Sequence, residues 1–291
     1  MNSRILNQRF EYYTPQTVEE AIDLLERSPS GGKPIAGGTD LLVQMKQEAF
    51  YPAFLMDVRS IPDLKQLYVG ERLRIGAAVT LQNLLQACSG LGEWAALSDA
   101  LGSMATLSIR NLGTIGGNLC NASPAADSAP PLLALGATVR LVGQQCERAV
   151  PLKAFFLDAN RTAAAPGELM TGIEVPVLPK KAGSAFMKNS GLGPGIAKVN
   201  GAALVTREGE VCTSCRIALG SVAPFPMRAE KAEAVLSGHK WTFDLLEEAG
   251  SVAALEIGPV TDLRSTESYR RHVTAYLVSN LLSKAWERTT I

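Results

Sequence analysis

The sequence has 291 residues, of which 46% are hydrophobic and 19% are charged. That balance is typical of a folded globular protein and excludes a largely disordered chain. Lys plus Arg number 28 and Asp plus Glu number 28, so the formal net charge is zero. Because no dense basic run with interleaved aromatics accompanies this balance, nucleic-acid binding and polybasic membrane attachment have no electrostatic basis.

The N-terminal residues, the absence of a long apolar run and the cysteines predict a cytoplasmic protein. Residues 1–11 are polar, carry Arg4 and Arg9, and lack the apolar core of a signal peptide. No run of about 18 apolar residues occurs, so we expect no transmembrane helix. The five cysteines are an odd number at scattered positions, which does not suit a secreted disulfide scaffold.

The first 58 residues predict a small α/β unit. A helix begins after Thr17, because Glu20 stands three residues later and completes a capping box. Residues 28–32 are rich in Ser, Pro and Gly and end this helix. The remaining predicted elements of the unit are a strand over 33–36, a helix over 41–47 and a buried strand over 53–58.

Residues 59–176 predict a second α/β unit. A hairpin is expected where strands 67–69 and 73–77 flank Gly70, Glu71 and Arg72. The other expected elements are helices over 80–86 and 93–105 and strands over 137–142 and 168–175. Residues 177–183 then break the pattern and form the candidate domain boundary.

The C-terminal part, residues 180–291, predicts a compact α+β domain. Its expected elements are strands over 202–206 and 214–221 and helices over 229–236, 242–254 and 268–286. The predicted fold class of the whole chain is therefore α+β. Its expected parts are an N-terminal domain over 1–176, with subdomains over about 1–58 and 59–176, and the C-terminal domain.

Two glycine-bearing segments carry the main chemical signal. Residues Pro34 to Leu41 contain a Gly-Gly pair, and residues 109–118 contain Gly113, Gly116 and Gly117 among potential hydrogen-bonding side chains. Paired glycines let backbone N–H groups approach a ligand without a Cβ in the way, and concave runs of N–H groups hold anions. Such segments also serve as tight turns or close packing sites. Two of them suggest one anion, such as a dinucleotide pyrophosphate, held by two loops.

The common phosphate-binding motifs do not account for these segments. No Walker A string is present, and the nearest approach to a Rossmann fingerprint, residues 191–195, has the wrong spacing and contains Pro194. A bound pyrophosphate must therefore be held by loops of another fold.

As they stand, the two segments resemble the flavin-binding signatures of the FAD subunit of molybdenum hydroxylases. These proteins are the medium subunits of carbon monoxide dehydrogenase and of xanthine dehydrogenase-type enzymes. The resemblance covers essentially the whole chain, and it extends to further stretches over residues 13–21, 57–64, 74–80, 167–169 and 218–228. It implies a carbon monoxide dehydrogenase flavoprotein-like fold, in which two α/β subdomains bind FAD between them and a C-terminal α+β domain follows.

The resemblance also implies a set of cofactor-binding residues. The first segment is expected to contact the FAD phosphates and ribose, the second to close on the pyrophosphate, and the remaining positions to lie near the flavin. These residues are Pro34, Ile35, Ala36, Gly37, Gly38, Thr39, Asp40, Leu41, Thr114, Ile115, Gly116, Gly117, Asn118, Asp127, Met170 and Lys188. Relatives often follow that lysine with an arginine and an aspartate, whereas here Asn189 and Ser190 follow it. A solvated surface position is therefore an alternative for Lys188.

No metal ligand and no catalytic residue is predicted on this chain. Cys212 and Cys215 form a lone Cys-x-x-Cys with no second pair, so buried thiols are favoured over an iron–sulfur cluster. His239 and His272 lie far along the chain from the glycine segments. We therefore expect the FAD to be held non-covalently.

The resemblance implies that the chain is an electron-transfer subunit. Molybdopterin and [2Fe–2S] centres are expected on partner chains, a large and a small subunit of a hetero-oligomer, with electrons passing through FAD to an acceptor such as NAD or O2. Two alternatives are a stand-alone FAD-dependent oxidoreductase and a non-catalytic assembly subunit that has lost FAD.

Overall fold

The N-terminal subdomain is built on a small parallel sheet. The structure, a computed structural model, describes residues 9–27, 31–191 and 195–290, so the predicted helix end at 28–30 and most of the Rossmann-like stretch at 191–195 lie outside it. Strands run in the order β1-β3-β2, and both pairings are parallel. The elements are β1 (Glu11–Tyr13), α1 (Val18–Arg27), β2 (Gly32–Ile35), α2 (Leu41–Lys46) and β3 (Phe54–Asp57).

The helices of this subdomain supply the crossovers that parallel strands require. Helix α1 begins where predicted, since the Thr17 hydroxyl accepts a hydrogen bond from the N–H of Glu20. Its buried residues include Ile22 and Leu25. Ile35 pairs with Asp57 at the carboxyl ends of β2 and β3, so the segment that follows Ile35 leaves the sheet at this edge.

The second subdomain centres on a five-stranded antiparallel sheet in the order β4-β5-β10-β6-β7. The predicted hairpin is confirmed as β4 and β5, and strands 137–142 and 168–175 correspond to β6 and β10. The elements are β4 (Leu67–Val69), β5 (Leu73–Gly76), α3 (Leu81–Cys88), α4 (Ala95–Ser103), α5 (Leu107–Leu112), α6 (Ile115–Cys120), α7 (Ala129–Ala134), β6 (Thr138–Val142), β7 (Glu147–Pro151), α8 (Leu152–Phe155), β8 (Phe156–Asp158), β9 (Arg161–Thr162) and β10 (Leu169–Val175).

The C-terminal part is an antiparallel sheet in the order β11-β12-β13-β14 covered by helices. Both predicted strands are longer than expected, and β11, which pairs along its whole length with β12, was not predicted. The elements are β11 (Ala182–Asn189), β12 (Val199–Glu208), β13 (Val211–Gly220), β14 (Met227–Arg228), α9 (Glu230–Leu236), α10 (Phe243–Glu256) and α11 (Glu267–Glu287).

The C-terminal sheet is buried on both faces, which explains its continuous apolar composition. Along β12, Ala202 and Leu204 belong to the core of the second subdomain. Ala203 and Val205 instead belong to the core formed with α9, α10 and α11. Alternate residues of β12 therefore belong to two different cores. The domain boundary predicted between residues 176 and 180 stays a prediction.

Polar contacts at the edge of this interface also join the two parts. Asp99 on α4 accepts hydrogen bonds from Lys284 at 3.0 Å and from Arg288 at 2.7 Å, both near the end of α11. The hydroxyl of Ser184 on β11 accepts a hydrogen bond from the N–H of Ala96. These contacts fix α4 against both the C-terminal sheet and α11.

Two helical glycines predict opposite effects of an added methyl group. A Cβ at Gly250 on α10 meets the carbonyl oxygen of Ala275 at 2.4 Å, whereas a Cβ at Gly102 on α4 meets nothing within 4 Å. We expect Gly250→Ala to lower the free energy of unfolding by about 1–3 kcal/mol through overpacking. Gly102→Ala should raise it by about 0.5–1 kcal/mol. Urea denaturation measures both, and equal effects of the two variants would contradict the packing described for α10 and α11.

Candidate functional site

The first glycine segment forms a turn between β2 and α2 with unused backbone donors. Gly38 has φ +68°, a left-handed conformation that glycine adopts without strain. Among the described residues, none accepts a hydrogen bond from the N–H groups of Gly38, Thr39 or Asp40. The Asp40 side chain does not cap α2 either. Three successive amides are therefore free to bind a ligand, next to a carboxylate whose described side-chain partner is Thr39.

The second glycine segment is not the loop that its composition suggested. It is two short helices, α5 and α6, joined at Gly113. Two threonines explain the difference: Thr106 caps α5, and Thr114 caps α6 by accepting a hydrogen bond from the N–H of Gly117 at 3.1 Å. The buried side chain of Ile115 then anchors the first turn of α6.

Three backbone donors at the start of α6 already have acceptors. The N–H of Ile115 donates to the carbonyl of Val79, and the N–H of Gly116 donates to the carbonyl of Ala77, both at 3.0 Å. With Gly117 bound to the Thr114 hydroxyl, the start of α6 is fixed to the chain before α3. The run of three consecutive free amides therefore lies in the first segment.

The two segments touch through their backbones. A Cβ on Gly37 would lie 2.1 Å from the carbonyl oxygen of Leu112, so only glycine fits there. A hydrogen bond also joins the two subdomains: the side-chain amide of Gln44 on α2 donates to the Asn121 side chain at 3.0 Å. The sequence prediction that these distant segments meet is consistent with this geometry.

Gly116 and Gly117 have different surroundings although they are adjacent. A Cβ on Gly116 would lie 2.6 Å from the carbonyl oxygen of Ala77, so this glycine permits packing of α6. A Cβ on Gly117 would meet only the Thr114 hydroxyl, at 3.0 Å, and would otherwise point into open space. Gly117 therefore borders the open side of the contact between the segments.

Asp127 and Lys188 are brought together across the interface with the C-terminal sheet. The Lys188 ammonium lies 2.6 Å from the Asp127 carboxylate, and the two side chains are only 6% and 8% exposed. The surface alternative for Lys188 is therefore wrong. Asn200 donates to the other carboxylate oxygen at 2.7 Å. Burial raises the pKa of Asp127, while the bonds from Lys188 and Asn200 oppose that rise.

Met170 lies beneath α6. It is 4% exposed, and its sulfur is 4.0 Å from the thiol of Cys120 at the end of that helix. A β-bulge follows Met170 in its pairing with β6, and the carbonyl of the extra residue, Thr171, accepts a hydrogen bond from the N–H of Ala77. Met170 therefore packs against α6, and the hydroxyl of Ser128, the residue after Asp127, donates to Asn118 of the same helix at 2.6 Å.

Some site residues were missed by sequence reasoning. Asn200 stands in the apolar run of β12, where a fully buried amide is a signal that could have been noticed. Gln44 and Asn121, by contrast, are ordinary polar residues whose pairing depends on the tertiary arrangement. Arg110, within the second segment, donates to the backbone carbonyls of Met104 and Ala105 and so supports the turn before α5.

The Cys-x-x-Cys pair lies in the C-terminal core. Thr213 is an extra residue in the pairing of β12 with β13, and this bulge turns Cys212 and Cys215 to the same buried side. Within the ranges that the structure describes, no three His, Cys, Asp or Glu side chains are grouped so that they could hold a metal ion. Over those ranges no helix has the length and apolar character of a membrane span.

Comparisons with known proteins identify the family. Residues 8–178 match the family described as FAD binding domain in molybdopterin dehydrogenase, and residues 187–287 match the CO dehydrogenase flavoprotein C-terminal domain. The chain belongs to the FAD-binding medium subunits of molybdenum hydroxylases. Its α+β fold is the one predicted from the sequence.

Individual relatives cover almost the whole chain. The carbon monoxide dehydrogenase medium chain of Hydrogenophaga pseudoflava is 31% identical over 96% of this chain and 98% of its own length. The putative xanthine dehydrogenase FAD-binding subunit XdhB of Escherichia coli is 28% identical over 94% and 95%. A solved carbon monoxide dehydrogenase from H. pseudoflava superimposes with a TM-score of 0.93 at 32% identity, covering 98% of this chain and 99% of that one.

The contrast between the adjacent glycines of this medium subunit generates a paired prediction. Gly117→Val should leave the fold intact, with Tm within about 3 °C of wild type, because its side chain points into open space. We expect its FAD affinity to fall at least about 100-fold, as measured by fluorescence titration. Gly116→Val should fail to fold, because it forces a side chain against the backbone of Ala77. Unchanged FAD affinity in Gly117→Val would remove this glycine from the site.

Removing the Asp127 carboxylate should leave the Lys188 ammonium buried without a counter-charge. Breaking such a pair costs about 3–5 kcal/mol, so we expect Asp127→Ala to lower the free energy of unfolding by about that amount. The double variant Asp127→Ala/Lys188→Met should recover most of the loss. A single variant that loses less than about 1 kcal/mol in urea denaturation would show that this pair is not buried.

Proposed function

We propose that this medium subunit binds FAD non-covalently between the two glycine segments and serves as the electron-transfer subunit of a molybdenum-containing hydroxylase or dehydrogenase. One observation carries the proposal: the free amides of Gly38, Thr39 and Asp40 lie beside the backbone contact of Gly37 with Leu112. Three adjacent N–H donors without protein acceptors are the chemistry that a diphosphate requires.

The residues present fit this cofactor in several ways. The first segment offers amides for phosphate oxygens, and the Asp40 carboxylate can accept hydrogen bonds from ribose hydroxyl groups. The open position at Gly117 allows close approach of a ligand without a Cβ. Since the donors of Ile115 and Gly116 are already bound, we assign the main-chain contacts with the diphosphate to the first segment and steric accommodation to the second.

The remaining site residues are assigned to the flavin end. We propose that Asp127, Lys188 and Met170 border the ring and its ribityl chain, where they supply a carboxylate, an ammonium and an apolar surface. Bound FAD supplies the redox chemistry, while the protein contributes binding, orientation and electrostatics. The burial of the Asp127–Lys188 pair strengthens its electrostatic effect on any group placed beside it.

The proposed assembly follows from the relatives that are medium chains or FAD-binding subunits of dehydrogenases. A molybdopterin-binding large subunit and a [2Fe–2S] small subunit would be the partners. Electrons from the [2Fe–2S] centres would reach an acceptor such as NAD or O2 through this subunit. The substrate pocket would then lie on another chain, consistent with our not assigning a catalytic residue to this one.

Two alternative functions are compatible with the same fold. A stand-alone oxidoreductase would need a substrate-binding site with its own acid–base group, and no residue of the described site is assigned that role. An assembly subunit without FAD would need no free amides at the first segment. The unpaired donors at Gly38, Thr39 and Asp40 therefore favour the flavin-binding reading over the second alternative.

The visible spectrum of the purified chain tests the proposal directly. We expect flavin absorption bands after reconstitution with FAD, and acid precipitation should release the flavin because the attachment is non-covalent. A folded protein that remains colourless with excess FAD would contradict flavin binding. Co-expression with the partner subunits should yield a complex that contains iron and molybdenum. Full substrate turnover by the isolated chain would instead support the stand-alone alternative.

A further inference from the structure

Asp127 is held by two donors that stand side by side on neighbouring strands. Lys188 on β11 and Asn200 on β12 are direct partners in the antiparallel register, so their side chains share one face of the sheet. Lys188 donates to one carboxylate oxygen of Asp127 at 2.6 Å, and Asn200 donates to the other at 2.7 Å. The C-terminal sheet thus donates two hydrogen bonds to a single carboxylate of the FAD-binding domain. We call this pair of donors, Lys188 and Asn200, the clamp.

The neighbouring strand leaves room for this clamp. Gly220 on β13 pairs with Asn200, and a Cβ on Gly220 would lie 2.2 Å from the Oδ1 atom of that asparagine. Just after Gly220, the N–H of Ser221 donates to the carbonyl of Pro124 at 2.7 Å. The segment that carries Asp127 is therefore tied to the same sheet as its two donors, through the end of β13. Asn200 is completely buried within this arrangement.

We infer that Asn200 is a positioning residue of the flavin site, which acts by fixing the Asp127 carboxylate and, through it, the Lys188 ammonium. This inference rests on the proposed function, in which Asp127 and Lys188 border the flavin. Asn200 itself need not touch the cofactor. Its contribution is that both carboxylate oxygens have a partner, so the carboxylate cannot turn about its Cβ–Cγ bond.

The charges around Asp127 are few. Among the described residues, Lys188 from β11 is the charged group that faces it, and the neutral amide of Asn200 comes from β12. On the chain segments that flank Asp127, the Ser128 hydroxyl donates to the Asn118 side chain at 2.6 Å. Loss of the Asn200 donor should raise the pKa of Asp127 further, because that bond favours the ionised form.

The first test replaces the amide with side chains of similar size that do not donate. Asn200→Leu removes the hydrogen bond, and Asn200→Asp puts a second carboxylate beside Asp127. At about pH 8.5 both full-length variants should bind FAD about 10- to 100-fold more weakly than wild type in a fluorescence titration, as expected for a lost bond to a buried charge. Affinities within about twofold of wild type for both variants would overturn the inference.

The pH dependence separates positioning from packing. In Asn200→Asp the two adjacent carboxyl groups share one proton as the pH falls, and the protonated group can then donate to the other as the amide does. FAD affinity relative to wild type at the same pH should therefore recover between about pH 8.5 and pH 5.5 in Asn200→Asp. It should stay low in Asn200→Leu. If the FAD affinity of Asn200→Asp relative to wild type does not change across this pH range, a role of Asn200 through Asp127 is contradicted.

A double-mutant cycle tests whether Asn200 acts through Asp127. If Asn200 acts through Asp127, adding Asn200→Leu to Asp127→Ala should change FAD affinity by less than about twofold, whereas independent effects would multiply. Multiplying effects would overturn the inference.

The matched control is Ser184→Ala, which removes another buried hydrogen bond between β11 and the FAD-binding domain. It should lower Tm but leave the FAD affinity and its pH dependence unchanged. If Ser184→Ala lowered FAD affinity as much as Asn200→Leu does, the effect of Asn200→Leu would be explained by lost packing alone, and the inference would be wrong. Failure of wild type to bind FAD would instead remove the proposed function, so the two failures are distinguishable.

Discussion

The candidate site depends on the contact of two backbones at Gly37 and Leu112. No side chain separates them, since a Cβ on Gly37 would lie 2.1 Å from the Leu112 carbonyl oxygen. This contact sets the distance between the two subdomains of the FAD-binding domain. It leaves the amides of the first segment unpaired beside the start of α6, and every proposed role of the site depends on that spacing.

The C-terminal sheet contributes Lys188 and Asn200 to the candidate site. One face of the C-terminal sheet shares its core with the second subdomain, while its other face packs against helices. Because that packing excludes water, the ion pair between Lys188 and Asp127 is buried where electrostatic interactions are strong. The same strands that close the core therefore determine the position of the ion pair that we propose lies beside the flavin.

Local patterns allowed most of the fold to be predicted. The capping box at Thr17 and the hairpin around Gly70 are specified by neighbouring residues, and both are confirmed. The second glycine segment was misjudged because glycine suggests a loop, whereas threonine caps and buried Ile115 produce helices. The clamp of Asn200 on Asp127 could not be predicted, since it depends on the register of strand β11, which the sequence pattern did not reveal.

Amide hydrogen exchange with and without FAD is the sharpest test of the proposed diphosphate site. We expect the amides of Gly38, Thr39 and Asp40 to exchange rapidly in the free protein and to become protected when FAD is added. The amides of Ile115 and Gly116, which already donate to protein carbonyls, should be protected in both states. If FAD binds and the first three amides continue to exchange as in the free protein, the proposed diphosphate site is wrong.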